Sequence, residues 1–167
     1  MDDDKTTDIL KRAILLEKRG RAFYGKVAQQ ASADAVKRFF ETMAAEEENH
    51  IRVLSEQFKA YQGNKQFIAG QFDDHQESGI ASQVLSKEIK SEISAADYES
   101  AAISAAMSME ESAIKLYSGR AAAATDPNEK ALYNWLAKWE TQHLNFLADI
   151  DRELTEDIWF DQSFWPL

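Results

Sequence analysis

Two of the three histidines in this 167-residue chain follow a glutamate at the same spacing, Glu47-x-x-His50 and Glu140-x-x-His143. Both pairs interrupt an otherwise apolar helical stripe. The first stripe runs Val36, Phe40, Met43, Glu47, His50, Leu54, Phe58, Tyr61, and the second Tyr133, Leu136, Glu140, His143, Leu147, Ile150, Leu154, in helical steps of three and four. At that spacing a Glu and a His share one helical face, a turn apart. A carboxylate facing a core is tolerable only where the fold gives it partners, because a bare buried ion costs several kcal/mol even after relaxation. The chain must therefore bring these two helices against something that compensates them.

A faint internal repeat supplies candidates. At an offset of 93 residues Glu17 maps to Glu110, Tyr24 to Tyr117, Ala31 to Ala124, Lys37 to Lys130, Ala44 to Ala137, Glu47 to Glu140, His50 to His143 and Leu54 to Leu147. Periodicity predicts four helices, at 7–31, 34–62, 95–124 and 127–154. The first buries Leu10, Ile14, Glu17, Tyr24 and Ala28, the third Ile103, Glu110, Ile114, Tyr117 and Ala121, so each adds one carboxylate. Glu17 lies 14 residues before Ala31 and Glu47 13 after Asp34; at a rise of ~1.5 Å per residue both stand ~20 Å from their turn and meet at one level. Glu110 and Glu140 repeat the arrangement. Four carboxylates and two imidazoles would then converge, and two divalent cations would neutralise the four carboxylates with the histidines uncharged. One Glu from each of two helices plus Glu-x-x-His from the other two is a di-metal carboxylate pattern. A helical repeat with buried Glu-His pairs and no metal is the competing reading. Tyr24 and Tyr117, on the same faces as their glutamates, are placed either to bond a carboxylate of a neighbouring helix or simply to fill the core. Glu46 could orient an imidazole across the bundle, whereas its repeat counterpart is Trp139. His75 has no partner at ligand spacing and reads as a surface residue.

Composition fits an all-α chain: 44% hydrophobic residues, with only 6 Gly and 2 Pro to interrupt helices. A single domain covering 1–167 is expected, with one hairpin at 7–62, a crossover at 64–94, a second hairpin at 95–154 and an aromatic tail at 155–167. Ser32 and Asp34 offer N-cap chemistry, Gly63 a C-terminal cap, and Asp126-Pro127 a cap followed by a first-turn proline. Residues 80–92 could form a short helix. A connector this long suits a crossover running the length of the bundle. The tail, with Trp159, Phe160, Phe164 and Trp165, is expected to cover an end of the bundle. A net charge of −10 argues against nucleic acid as a partner. There is no cysteine for a disulfide or a thiolate site, and no apolar run of membrane-spanning length or basic leader, so a cytoplasmic protein without membrane attachment is expected.

Through Glu17-Lys-Arg-Gly-Arg-Ala-Phe-Tyr24, Glu46-Glu47-Glu48-Asn49-His50, Glu110 to Tyr117 and Glu140-Thr-Gln-His143, the chain resembles the rubrerythrin-like branch of the ferritin superfamily. The likeness spans nearly the whole sequence. It implies a ferritin-like four-helix bundle of two hairpins joined by a long crossover, with Glu17, Glu47, His50, Glu110, Glu140 and His143 as ligands of two irons. Manganese or zinc would suit the same oxygen-rich set. The resemblance further implies reduction of hydrogen peroxide or dioxygen, and a homodimer. Two departures stand out. The four cysteines of a rubredoxin-type iron centre are absent from this chain, so electrons must come from an external donor such as a rubredoxin-like protein or a small reductant. The extra glutamate that rubrerythrins carry three residues after the third-helix ligand is Ala113 here. The alternative function is ferritin-type iron oxidation and storage.

Overall fold

The computed structural model describes residues 2–70, 89, 92–93 and 98–160. They form four long helices, α1 (Asp2–Gln30), α2 (Asp34–Asn64), α3 (Tyr98–Ala123) and α4 (Pro127–Phe160), and no strand among the described residues. Helix α1 packs along α2 and α3 along α4, and α1 touches α3 lightly across the bundle.

The helix ends follow their local chemistry, with some differences from the sequence reading. Asp126 caps α4 as expected: its Oδ1 accepts from the amides of Asn128 (2.7 Å) and Glu129 (3.2 Å), with Pro127 in the first turn where a missing N–H costs nothing. The cap of α2, by contrast, is neither Ser32 nor Asp34. Ala33 holds that place in extended conformation without a side-chain bond, and Asp34 is already helical, its charge complementing the helix dipole. Nor does Gly63 end α2. The helix runs on to Asn64 and is closed by Lys65, left-handed at φ 58°, whose amide bonds the Tyr61 carbonyl while its ammonium sits 5.5 Å from the Tyr61 ring. Helix α4 continues six residues past the expected end, there being no Gly or Pro to stop it. Trp159 (66%) and Phe160 (84%) are exposed on its last turn rather than folded over the bundle. Phe164, Trp165, His75 and most of the expected short helix at 80–92 lie outside the described residues.

The core divides into two apolar halves, and their membership fixes the topology. One half joins the end of α1 (Tyr24, Val27), the start of α2 (Val36, Phe39, Phe40), the start of α3 (Ala102, Ile103, Ala106) and the end of α4 (Leu147, Ile150, Leu154). The other joins Leu10 and Ala13 of α1 to Leu54 and Tyr61 of α2, Tyr117 and Ala121 of α3, and Leu132, Tyr133 and Leu136 of α4. Helices α2 and α3 therefore run parallel, and the connection between them must return the whole length of the bundle. Phe67, at its start, packs in the second half, while Ile89 and Ile93, near its end, are buried in the first. Gln57 anchors its departure by exchanging two hydrogen bonds with the backbone of Ile68, at 2.9 and 3.1 Å. This is the ferritin-like arrangement. Between the two halves, at mid-height, lies the polar layer.

Candidate metal centre

Each helix delivers its glutamate to that layer. Glu17, Glu47, Glu110 and Glu140 are 1–3% exposed and His50 and His143 fully buried, so bulk water supplies little of their solvation. Their donor atoms form two groups, Glu17, Glu47, His50 and Glu140, and Glu47, Glu110, Glu140 and His143, with the atoms of each within 4.8 Å of one another. Glu47 and Glu140 belong to both. The two Glu-x-x-His glutamates thus stand between the groups, while Glu17 with His50 and Glu110 with His143 stand at the outer ends.

Both imidazoles turn Nδ1 inward. His50 Nδ1 lies 3.1 Å from Glu17 Oε2 and 3.0 Å from Glu140 Oε1; His143 Nδ1 lies 3.2 Å from Glu140 Oε2 and 3.6 Å from Glu110 Oε1. Yet both carboxylate oxygens of Glu140, and Nδ1 of His143, are buried with no hydrogen-bond partner, near but out of line. Convergent lone pairs left unsatisfied in a buried site are what a cation would satisfy. The residues present fit two divalent cations held by oxygen and imidazole nitrogen, at the stoichiometry that neutralises four carboxylates.

The tyrosines join the layer from the opposite hairpin. Tyr24 of α1 donates to Glu110 Oε1 on α3, and Tyr117 of α3 donates to Glu17 Oε1 on α1. Each outer glutamate is thereby oriented by a phenol of the other repeat. All eight residues singled out from the sequence converge here. Glu46 does reach across the bundle, its Oε2 2.6 Å from His143 Nε2.

Without metal this layer must resolve its charge with protons. Burial, with Glu140 and Glu17 close by, holds Glu47 well above the usual carboxylate range, and burial and Glu140 push Glu110 up to about 7. Burial by itself would lower both histidines, but the surrounding carboxylates outweigh it and raise them. Glu140 goes the other way: against burial, His50 and His143 hold it below the normal range. Burial and the adjacent glutamates raise both tyrosines, so they stay neutral donors.

The Rubrerythrin family model matches residues 8–151, a span that contains all eight of these side chains. The chain belongs to the rubrerythrin family. No curated protein and no solved structure gives a significant match. Among the described residues, no helix of this rubrerythrin-family chain is long and apolar enough to cross a membrane.

Two features of the site were not singled out in the sequence. Between α1 and α3 a cavity of ≈ 10 Å³ opens onto the carboxylates, room for about one water-sized molecule. Leu16 and Met109, and Gly20 and Ala113, flank it as repeat mates 93 residues apart. A Cβ built on Gly20 would sit 3.2 Å from Glu47 Cδ, so the glycine makes way for a carboxylate shared by both groups. Gly20 stands at the same repeat position as Ala113, but that offset does not show that Glu47 packs against it. Trp135 is the other omission; it lies edge-on to His50 at 5.4 Å, and its position in the repeat corresponds to Thr42, which gave no hint of an aromatic role.

Proposed function

We propose that this rubrerythrin-family chain is a di-metal oxidoreductase, with iron as its metal, that reduces hydrogen peroxide or dioxygen with electrons from an external donor. The observation that carries this reading is the sharing of Glu47 and Glu140 by two four-residue groups beneath an opening sized for one small molecule. Glu17, Glu47, His50, Glu110, Glu140 and His143 would hold the pair of ions, which when bound supply the electrons for reduction. For peroxide the balance is two electrons and two protons per molecule, giving two waters and no other product.

The chain's own residues set the rest. The window between Gly20 and Ala113 has room for a molecule of about the size of water beside the carboxylates. Tyr24 and Tyr117 are the O–H donors bonded to the outer carboxylates, and their raised pKa keeps the proton on the phenol while it orients Glu110 and Glu17. Apolar residues above and below the layer exclude bulk water, which strengthens each charge interaction within it.

Stopped-flow oxidation of the iron-loaded, reduced protein tests the reading. Peroxide is expected to oxidise it faster than air does, and an added reductant to sustain turnover. Equal rates with no turnover overturn it, and light scattering that finds a many-subunit shell redirects it to iron storage. Anomalous scattering at the iron edge identifies the metal.

A further inference from the structure

The repeat makes the two ends of the polar layer match almost group for group, which isolates the place where they differ. Each end has an outer glutamate, an imidazole presenting Nδ1, and a phenol from the opposite hairpin on that glutamate. Glu47 and Glu140 serve both ends and favour neither. Gly20 abuts Glu47, one of these shared residues, so it does not distinguish the ends either.

What differs is the outer nitrogen of each imidazole. Nε2 of His143 is 2.6 Å from Glu46 Oε2, a carboxylate 12% exposed. Nε2 of His50 is buried without a hydrogen-bond partner among the described residues, and its ring stands edge-on to Trp135 at 5.4 Å and Trp139 at 5.7 Å, interplanar angles 78° and 77°. Trp139 occupies in the second repeat the position of Glu46 in the first, 93 residues on. Trp135 likewise stands where the first repeat has Thr42, and Trp139 also lies edge-on to His143 at 6.1 Å, so the difference that reaches an outer nitrogen is the carboxylate, present at His143 and replaced by an indole at His50.

That exchange acts on the inner nitrogen. A carboxylate accepting the outer N–H fixes the tautomer with its lone pair on Nδ1, holds the ring in orientation and makes Nδ1 a stronger donor; losing such a partner typically costs 10- to 100-fold in metal affinity. An indole face accepts an N–H only weakly. We infer that the two cation positions are inequivalent, with the Glu110/His143 position, backed by Glu46, filling first and tightly, and the Glu17/His50 position, set against the indoles, binding more weakly and exchanging. The inference rests on the reading above that these six residues hold two cations, and makes Glu46 a positioning residue for one of them.

The test is an anaerobic titration of the metal-free protein with Co²⁺ against a competing chelator. Two steps are expected, with dissociation constants differing by about 10- to 100-fold. Glu46→Gln, which keeps the shape and removes the charge, is expected to weaken the tight step about 10-fold and leave the weak one in place. Crystals given one equivalent of Co²⁺ are expected to show anomalous density at the Glu110/His143 position. Two equal steps in the unaltered protein, equal weakening of both steps by Glu46→Gln, or density first at the His50 end would overturn the inference. The unaltered protein needs no variant to fold, so its titration and crystals decide the matter alone. Failure to bind about two ions per chain would overturn the di-metal reading itself, an outcome distinct from two ions bound equally.

Discussion

Replacing Gly20 by alanine sets two effects against each other whose sizes can be worked out. Gly20 lies inside α1, where glycine is about 1 kcal/mol less favourable than alanine. Helix propensity alone would therefore raise the midpoint of thermal unfolding by about 2–4 °C for a chain of this size. The new methyl, however, would meet Glu47 Cδ at 3.2 Å and its Oε2 at 3.5 Å, where carbon–carbon contacts normally relax to about 3.5–4.0 Å. Glu47 must recede by a few tenths of an ångström, more than the roughly 0.2 Å tolerance of a metal–ligand distance. Because Glu47 belongs to both groups, both binding steps are expected to weaken together, by about 10-fold each or ~1.4 kcal/mol. Gly25→Ala is the internal control: it lies in the same helix with nothing within 4 Å of its added carbon, so it should gain the propensity term and leave binding alone. Calorimetry of the metal-free proteins and metal titration of both variants separate the terms. If Gly20→Ala binds metal as tightly as Gly25→Ala, the account of Gly20 as clearance for a shared carboxylate is wrong.

Other outcomes follow from the same geometry. The metal-free protein should lose stability as pH rises from about 4.5 through 7, because the folded state holds a proton on Glu110, raised to about 7, that the unfolded chain has already released. The raised Glu47 acts in the same sense, as do the raised histidines once pH passes their unfolded value near 6.5, whereas the lowered Glu140 matters only on the acid side; chemical denaturation at pH 5 and pH 8 with equal midpoints would contradict this. Metal loading should release protons, measurable with an indicator dye, and should stabilise the protein most at the higher pH. Tyr24→Phe and Tyr117→Phe each remove a buried hydrogen bond to a carboxylate and should destabilise the metal-free protein by about 1–3 kcal/mol, read by thermal unfolding. Asp126→Ala should cost about 1 kcal/mol through the α4 cap while the metal titration stays unchanged.

The polar layer was legible from the sequence because burying a glutamate and a histidine in an apolar stripe is a strong constraint, and the 93-residue repeat stated it twice. Distance from the turns placed all four carboxylates at one level, and the reversal at Asp126-Pro127 was written in its cap. The helix ends at Ala33 and Lys65 were harder to read. A cap without a side-chain bond, and a left-handed lysine steadied by its own helix's tyrosine, leave no pattern that distinguishes them from a neighbouring Ser, Asp or Gly. The α4 terminus misled for a different reason. Aromatic residues suggested burial, but nothing in the local sequence breaks the helix, so Trp159 and Phe160 follow it outward. Gly20 escaped notice because its role exists only once Glu47 of another helix lies against it. That contact is tertiary, and no local pattern encodes it.

Tyr24 reaching Glu110 while Tyr117 reaches Glu17 is, within one chain, the self-complementary contact of an isologous dimer: each half offers what the other accepts, about a pseudo-twofold axis. One consequence is that a half-length polypeptide carrying only α1 and α2 already encodes every ligand type, and two copies paired about that axis would rebuild the layer. Such an ancestor would be condemned to symmetry, since any change in one copy appears in both. A single chain holding both halves is free of that restriction, and here Trp135 and Trp139 stand beside His50 where the first repeat has Thr42 and Glu46, so two neighbouring ions can be given different surroundings without altering what binds them.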